Sequence, residues 1–183
     1  MRDEKVSRAD WIQSVLTEHE RPLIRYALHL TGSVEMARDV VQETFLRLCS
    51  QEPNKLKDRI APWLFAVCRT RALDAIRQTR RLEISSVGQD RNENSQTARE
   101  LGPSDLFERS EFLNQILKLL AKLTASQQEV IRLRFEGDFS YKEISLITGL
   151  SVTNVGFLLH EGLKTIRHQM RPTENARTLR RIK

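Results

Sequence analysis

Apolar residues return every three or four positions along most of this chain, the period of helices buried on one side. "DWIQSVLTEHE", "PLIRYALHL" and "VEMARDVVQETFLRLCS" all follow it, and no convincing strand-like alternation interrupts. Glycine and proline are scarce, at 7 and 5, so breaks are few. Pro22 is able to begin a helix or to break one. Gly32 punctuates the chain, and Ser33 is placed to cap the helix that follows. "QEPNKLKDRIA" (51–61) reads as a loop, with Pro62 in the first turn of a helix running to Arg81. At about 100° per residue, that helix turns Leu64, Cys68, Ala72, Ala75 and Ile76 to a core side. Arg69, Thr70, Arg77, Arg80 and Arg81 fall on the other side, with Trp63 and Leu73 at its edges and Asp74 the one acid between 59 and 81.

The helical period stops at residue 82. Residues 82–110 are polar, with six acids against three arginines. A segment of this length exceeds the roughly 12–15 residues that compact domains leave unstructured, so it predicts a flexible linker. A second block begins at residue 111, where positions 112, 113, 116, 117, 120 and 123 form one apolar face. Thr124 with Gln127 and Ser140 with Glu143 have capping-box spacing, and Phe139 and Ile144 stand as a hydrophobic staple around the second. After "YKEISLIT" come Gly149 and then Ser151 as the next N-cap, a short helix, tight turn and longer helix in helix-turn-helix order. Val155, Leu159, Gly162, Leu163, Ile166 and Met170 lie on the inner side of the longer helix; Thr153, Asn154, Phe157, His160 and Lys164 point outward. The expected fold is all-α: two small helical domains joined by a flexible linker, the second containing the helix-turn-helix.

A formal net charge of +6 and a pI near 9.7 favour a polyanionic partner, most simply nucleic acid. There is no long uncharged apolar run to span a bilayer, and Met1 to Arg8 is charged rather than a signal peptide, so a cytoplasmic location is expected. Cys49 and Cys68 each fall on an apolar stripe without CxxC spacing, which predicts buried free thiols in a reducing compartment. The four histidines have no ligand spacing, and no phosphate loop, nucleophile elbow or HExxH is present. No enzyme, metal or cofactor is expected.

Two surfaces carry candidate chemistry. In a helix-turn-helix, outward residues early in the second helix meet base edges in the major groove; Asn154 suits adenine and Phe157 a thymine methyl. An ordinary αα-hairpin would leave the same face solvated. On the 62–81 helix, arginines supply phosphate contacts and an edge aromatic stacks on a base, a combination suited to melted DNA. The competing account is a solvated basic face with Trp63 in the core.

"MARDVVQETFLRL", "WLFAVCRTRALDAIRQTRR" and "LTASQQEVIRLRFEGDFSYKEISLITGLSVTNVGFLLHEGLKTIR" together resemble the extracytoplasmic-function (ECF) sigma factors. The resemblance implies a factor that joins core RNA polymerase, recruits it to a promoter and helps melt the DNA. It implies a region 2-like domain over 1–81, a linker over 82–110, a region 4-like domain over 111–172 and a basic tail over 173–183. By their match to the family motif, Asp39, Gln42, Glu43 and Leu46 would grip the clamp helices of the largest polymerase subunit. The region 4-like domain would sit on the flap of the second-largest. Trp63, Arg69, Arg77, Arg80 and Arg81 would meet the downstream (minus-ten) element as its strands separate. The 51–61 loop would hold a flipped base, although its sequence departs from common ones. Ser151, Thr153, Asn154, Phe157, His160 and Lys164 would meet the upstream (minus-thirty-five) element. Promoter DNA, duplex and melted, and an anti-sigma factor are the other implied partners. Gly156 and Leu158 stand where the family often has Lys or Arg, and Glu161 near a usual Arg. Fewer cations there imply fewer phosphate contacts, or contacts moved to Lys164, Arg167 and the tail, while Gly156 permits close approach of DNA or of a neighbouring helix. The rival readings are a free-standing helix-turn-helix regulator that needs no polymerase, and a protein that sequesters polymerase without initiating.

Overall fold

The computed structural model describes residues 7–56, 59–85 and 117–170, with 83–85 by backbone alone. Most of the expected linker, residues 111–116 and the tail lie outside the described residues. The chain divides into two compact units, residues 1–98 with 146–148 and residues 99–145 with 149–183. Every element among the described residues is helical.

The first unit holds α1 (Arg8–Thr31), α2 (Val34–Cys49), the single turn α3 (Pro53–Leu56) and α4 (Ile60–Ser85). α1, α2 and α4 each pack on the other two. Local chemistry sets the α1–α2 corner. Gly32 takes the left-handed conformation (φ 70°) that an L side chain resists, and its N–H closes on the Leu28 carbonyl. Ser33 Oγ then accepts from the Met36 N–H at 3.3 Å and starts α2. Leu23, Leu48 and Leu64, one from each long helix, are fully buried and contribute about 1.5–3 kcal/mol apiece. Tyr26 and Phe65 bring α1 against α4 with ring centroids 5.0 Å apart, in a tilted arrangement. Buried Thr44 donates to the Val40 carbonyl at 2.8 Å, so its hydroxyl carries no unmet polarity into the core.

Several expectations need correction here. Pro22 neither begins nor breaks a helix: α1 runs through it, because Leu23, Tyr26 and Ala27 immediately beyond are buried and hold the next turn in place. The 51–61 stretch is not wholly loop, since buried Leu56 anchors α3. α4 continues past Arg81 to Ser85. Cys49 is exposed, being the last residue of α2 with no further turn to cover it, whereas Cys68 is buried as expected.

After residue 98 come a helical turn over 117–120, then α5 (Ala125–Phe135), α6 (Tyr141–Thr148) and α7 (Val152–Met170), all in the second unit except the last three residues of α6. Both capping boxes form in full. Thr124 Oγ1 accepts from Gln127 N–H at 3.3 Å and Gln127 Oε1 from Thr124 N–H at 3.1 Å; Ser140 and Glu143 repeat the exchange. The staple residues Phe139 and Ile144 are buried. α5 and α7 cross closely at Gly162, where a Cβ would stand 2.8 Å from Ile131 Cδ1. Leu117, expected on an apolar face with Leu120 and Leu123, is exposed while those two are buried. Met170, expected on the inner side of α7, is 44% exposed. Its 19-residue helix extends about 28 Å against about 16 Å for the 11 residues of α5, so its end outruns its cover.

Candidate partner and nucleic-acid surfaces

On α2 the buried and exposed residues segregate cleanly. Val40, Val41, Thr44 and Leu48 face the core, and Asp39, Gln42, Glu43 and Leu46 all lie exposed at i, i+3, i+4 and i+7. Leu46, an apolar side chain 62% exposed amid polar neighbours, costs solvation unless something covers it. Beside it runs a groove of about 500 Å³ between α1 and α2, lined by Ile12, Leu16, Ile24, Val41, Phe45 and Leu46. Gln42 borders the same groove, so the polar face and the apolar hollow are continuous. Glu43 reaches α4, where its Oε1 lies 3.2 Å from Arg71 Nε. Arg8 donates to the carbonyls of Cys49 and Gln51, and its charge sits at the negative C-terminal end of α2.

Along α4 the expected basic face is present but not uniform. Arg77, Arg80 and Arg81 are exposed, and Arg69 is half-buried. Arg77 pairs with Asp74 at 2.7 Å, so the one acid between 59 and 81 already engages one of the helix's cations. Trp63 is half-buried, which leaves part of its indole available at the surface and part in packing. On the core side of the same helix, burial pushes the Cys68 thiol up to about 12, with the nearby Thr44 hydroxyl opposing it only weakly.

In the second unit, α6, the turn and α7 form the helix-turn-helix. Gly149 adopts the left-handed conformation (φ 74°) and Ser145 Oγ donates to the Leu150 carbonyl, closing the turn. Ser151 Oγ accepts from Asn154 N–H at 3.2 Å, so one predicted site residue orients the helix end that carries another. Thr153, Asn154, Phe157, His160 and Lys164 are all exposed, Phe157 at 62%. Half-buried Glu161 attracts two of them: its Oε1 is 3.2 Å from His160 Nδ1 and 3.8 Å from Lys164 Nζ. The neighbour that Gly156 admits is Tyr141 of α6, whose ring would stand 3.6 Å from a Cβ placed there.

Sequence reasoning missed the groove and Arg71. A second, weaker stripe of Ile12, Leu16 and Ile24 on α1, beside the buried Val15, Leu23, Tyr26 and Ala27, is the signal that could have found the groove. Arg71 carried no such signal, because its partner is 28 positions away.

No helix among the described residues is long and apolar enough to cross a membrane, and they hold no cluster of three His, Cys, Asp or Glu suited to a metal. The family model for Sigma-70 region 2 matches residues 15–82, and that for Sigma-70, region 4 matches residues 113–166. The ECF RNA polymerase sigma factor SigL of Mycobacterium tuberculosis is 31% identical over 167 residues, spanning 88% of this chain and 89% of SigL. The ECF sigma factor RpoE of Cereibacter sphaeroides is 23% identical over 188 residues, spanning 91% and 98%. The fold is similar to that of the sigma factor RpoE from Bartonella quintana, solved with the anti-sigma factor NepR (TM-score 0.65, 22% identity, 90% of this chain and 99% of that one). It is also similar to CnrH, solved with the cytosolic domain of CnrY (TM-score 0.58, 19% identity, 90% of each chain). A region 2 match ahead of the helix-turn-helix disfavours a free-standing regulator. Both sigma regions in order, and 31% identity to SigL over nearly the whole length, place the chain in the ECF family of RNA polymerase sigma factors.

Proposed function

We propose that this sigma factor, which directs promoter-specific transcription initiation, joins core RNA polymerase through the exposed α2 face of Asp39, Gln42, Glu43 and Leu46. The observation that carries the reading is that face itself: four polar or apolar side chains solvent-exposed at helical spacing, continuous with an apolar groove. The clamp of the largest subunit is the fitting partner, its cations meeting the two acids and an apolar side chain filling the groove beside Leu46. The second unit docks on the flap of the second-largest subunit. The chain itself does no catalysis and works in the cytoplasm.

DNA is met on two surfaces of opposite kind. The basic face of α4, with Trp63, Arg69, Arg77, Arg80 and Arg81, takes the downstream element as it melts, arginines on phosphate and the indole on a base. The Ser151–Lys164 face of α7 takes the upstream element as duplex, with Asn154 and Phe157 at base edges. The domain limits implied by the resemblance, 1–81 and 111–172 with a linker and a basic tail, remain part of this proposal. An anti-sigma factor that covers the same surfaces is a further partner, in keeping with the anti-sigma factor NepR bound to the similar RpoE of Bartonella quintana.

Asp39→Arg with Gln42→Ala tests the docking face. Charge reversal replaces attraction by repulsion, which costs several kcal/mol at an interface. Core polymerase titrated with the labelled variant is expected to bind at least tenfold more weakly, with thermal unfolding unchanged. Equal affinity would exclude this face.

A further inference from the structure

We propose that Arg71 is a positioning residue for polymerase docking: from α4 it holds the Glu43 carboxylate in place within the α2 face. The inference rests on the docking role given to Glu43 above. Arg71 Nε lies 3.2 Å from Glu43 Oε1 across the α2–α4 interface. Unlike Arg77 and Arg80, which are exposed, Arg71 turns toward α2 with its side chain only 24% exposed. Too little of it is open for a phosphate contact of its own. Glu43 is 49% exposed, so its carboxylate meets Arg71 on one side and remains open to a partner on the other.

The physical role follows from flexibility. A surface glutamate has three rotatable side-chain bonds, and ordering it on binding costs conformational freedom. A cation supplied by the same chain removes part of that cost beforehand. The pair is not a locked one: Arg71 Nε is shielded from solvent, yet no acceptor meets it in hydrogen-bond alignment. A donor from the clamp on the open side of Glu43 can therefore draw the carboxylate into better line without breaking an existing bond. Docking and the arginine then reinforce each other, and the link runs from the polymerase face directly to the helix that carries the downstream DNA face.

The test is a double-mutant cycle in the full-length chain, titrated against core polymerase, with thermal unfolding of the free chain measured alongside. Arg71→Gln is expected to weaken docking by about threefold to tenfold, the range for losing a preorganised partly exposed charge. The double variant with Glu43→Gln should be no weaker than the worse single variant, and Arg71→Lys, which keeps the charge, should restore most of the loss. Arg71→Met, which keeps the aliphatic packing, carries the same cycle if the glutamine variant is poorly folded. Full additivity of the two changes, or normal docking by the folded Arg71 variants while Glu43→Gln binds weakly, overturns the positioning role alone. Normal docking by Glu43→Gln overturns it together with the docking role of Glu43.

Discussion

Replacing Arg77, Arg80 and Arg81 with glutamine tests the basic face of α4 in a way that its geometry makes quantitative. All three arginines are exposed, but Arg77 shares its charge with Asp74 at 2.7 Å. Each single-strand phosphate neutralised contributes about 0.7 to the slope of log affinity against log salt. Loss of all three contacts therefore flattens the slope by about 2.1, and by about 1.4 if Asp74 keeps Arg77 from phosphate. Between 50 and 200 mM salt, a fourfold change, the advantage of the wild-type chain should shrink by about sevenfold to eighteenfold. The assay is permanganate reactivity of the melted region, using reconstituted holoenzyme on a cognate promoter across that salt range. Parallel slopes for the two chains would refute the phosphate role, whatever the loss at one salt concentration. A drop near the lower figure would show that the Arg77–Asp74 pair persists on DNA.

Four smaller tests address other parts of the structure. Cys49 should react with a maleimide at neutral pH while Cys68 does so only on unfolding, since one is exposed and the other buried. The raised Cys68 pKa has a signed consequence: the unfolded thiol ionises from about 9 and the folded one near 12, so stability falls by about 1.4 kcal/mol per pH unit between them. Denaturant unfolding against pH should show that slope flatten in Cys68→Ala; an identical slope would contradict the burial. Gly156→Ala should stabilise α7 by about 0.5–1 kcal/mol, because a Cβ meets Tyr141 at an ordinary 3.6 Å and helix propensity improves. A lower unfolding midpoint would mean that the two helices pack more tightly than that. Glu161→Gln should release Lys164 and His160 from their shared carboxylate, raising affinity for all upstream DNA sequences about threefold and steepening the salt slope by up to ~0.9. Unchanged binding across salt would deny Glu161 any restraining effect.

What could be read from sequence follows the range of the interactions involved. The caps at Ser33, Thr124, Ser140 and Ser151 and the breaks at Gly32 and Gly149 are fixed by atoms within five residues, and all fall where expected. The outward and inward faces of α2 and of the start of α7 also matched, because one helical period decides both. Failures arose where tertiary packing or helix ends overrule the period. Pro22 stays inside α1 because the residues beyond it are buried, and Cys49 and Met170 escape burial because each ends its helix. Within the site, the exposure of Asp39, Gln42, Glu43 and Leu46 was legible from spacing. The groove left only a faint stripe on α1, and the hold of Glu161 on His160 and Lys164 is a local contact of adjacent and i,i+3 residues, whereas the Arg71–Glu43 pair spans two helices and no spacing in the chain encodes it.

Run-off transcription tests the central claim most directly. Core RNA polymerase is mixed with genomic DNA fragments, with and without the chain, beside an unrelated sigma factor that proves the polymerase preparation active. Discrete transcripts that start at defined positions and require the chain are predicted, and they should disappear with the Asp39→Arg, Gln42→Ala variant. Absence of any chain-dependent transcript from polymerase that responds to the other sigma factor would contradict the account.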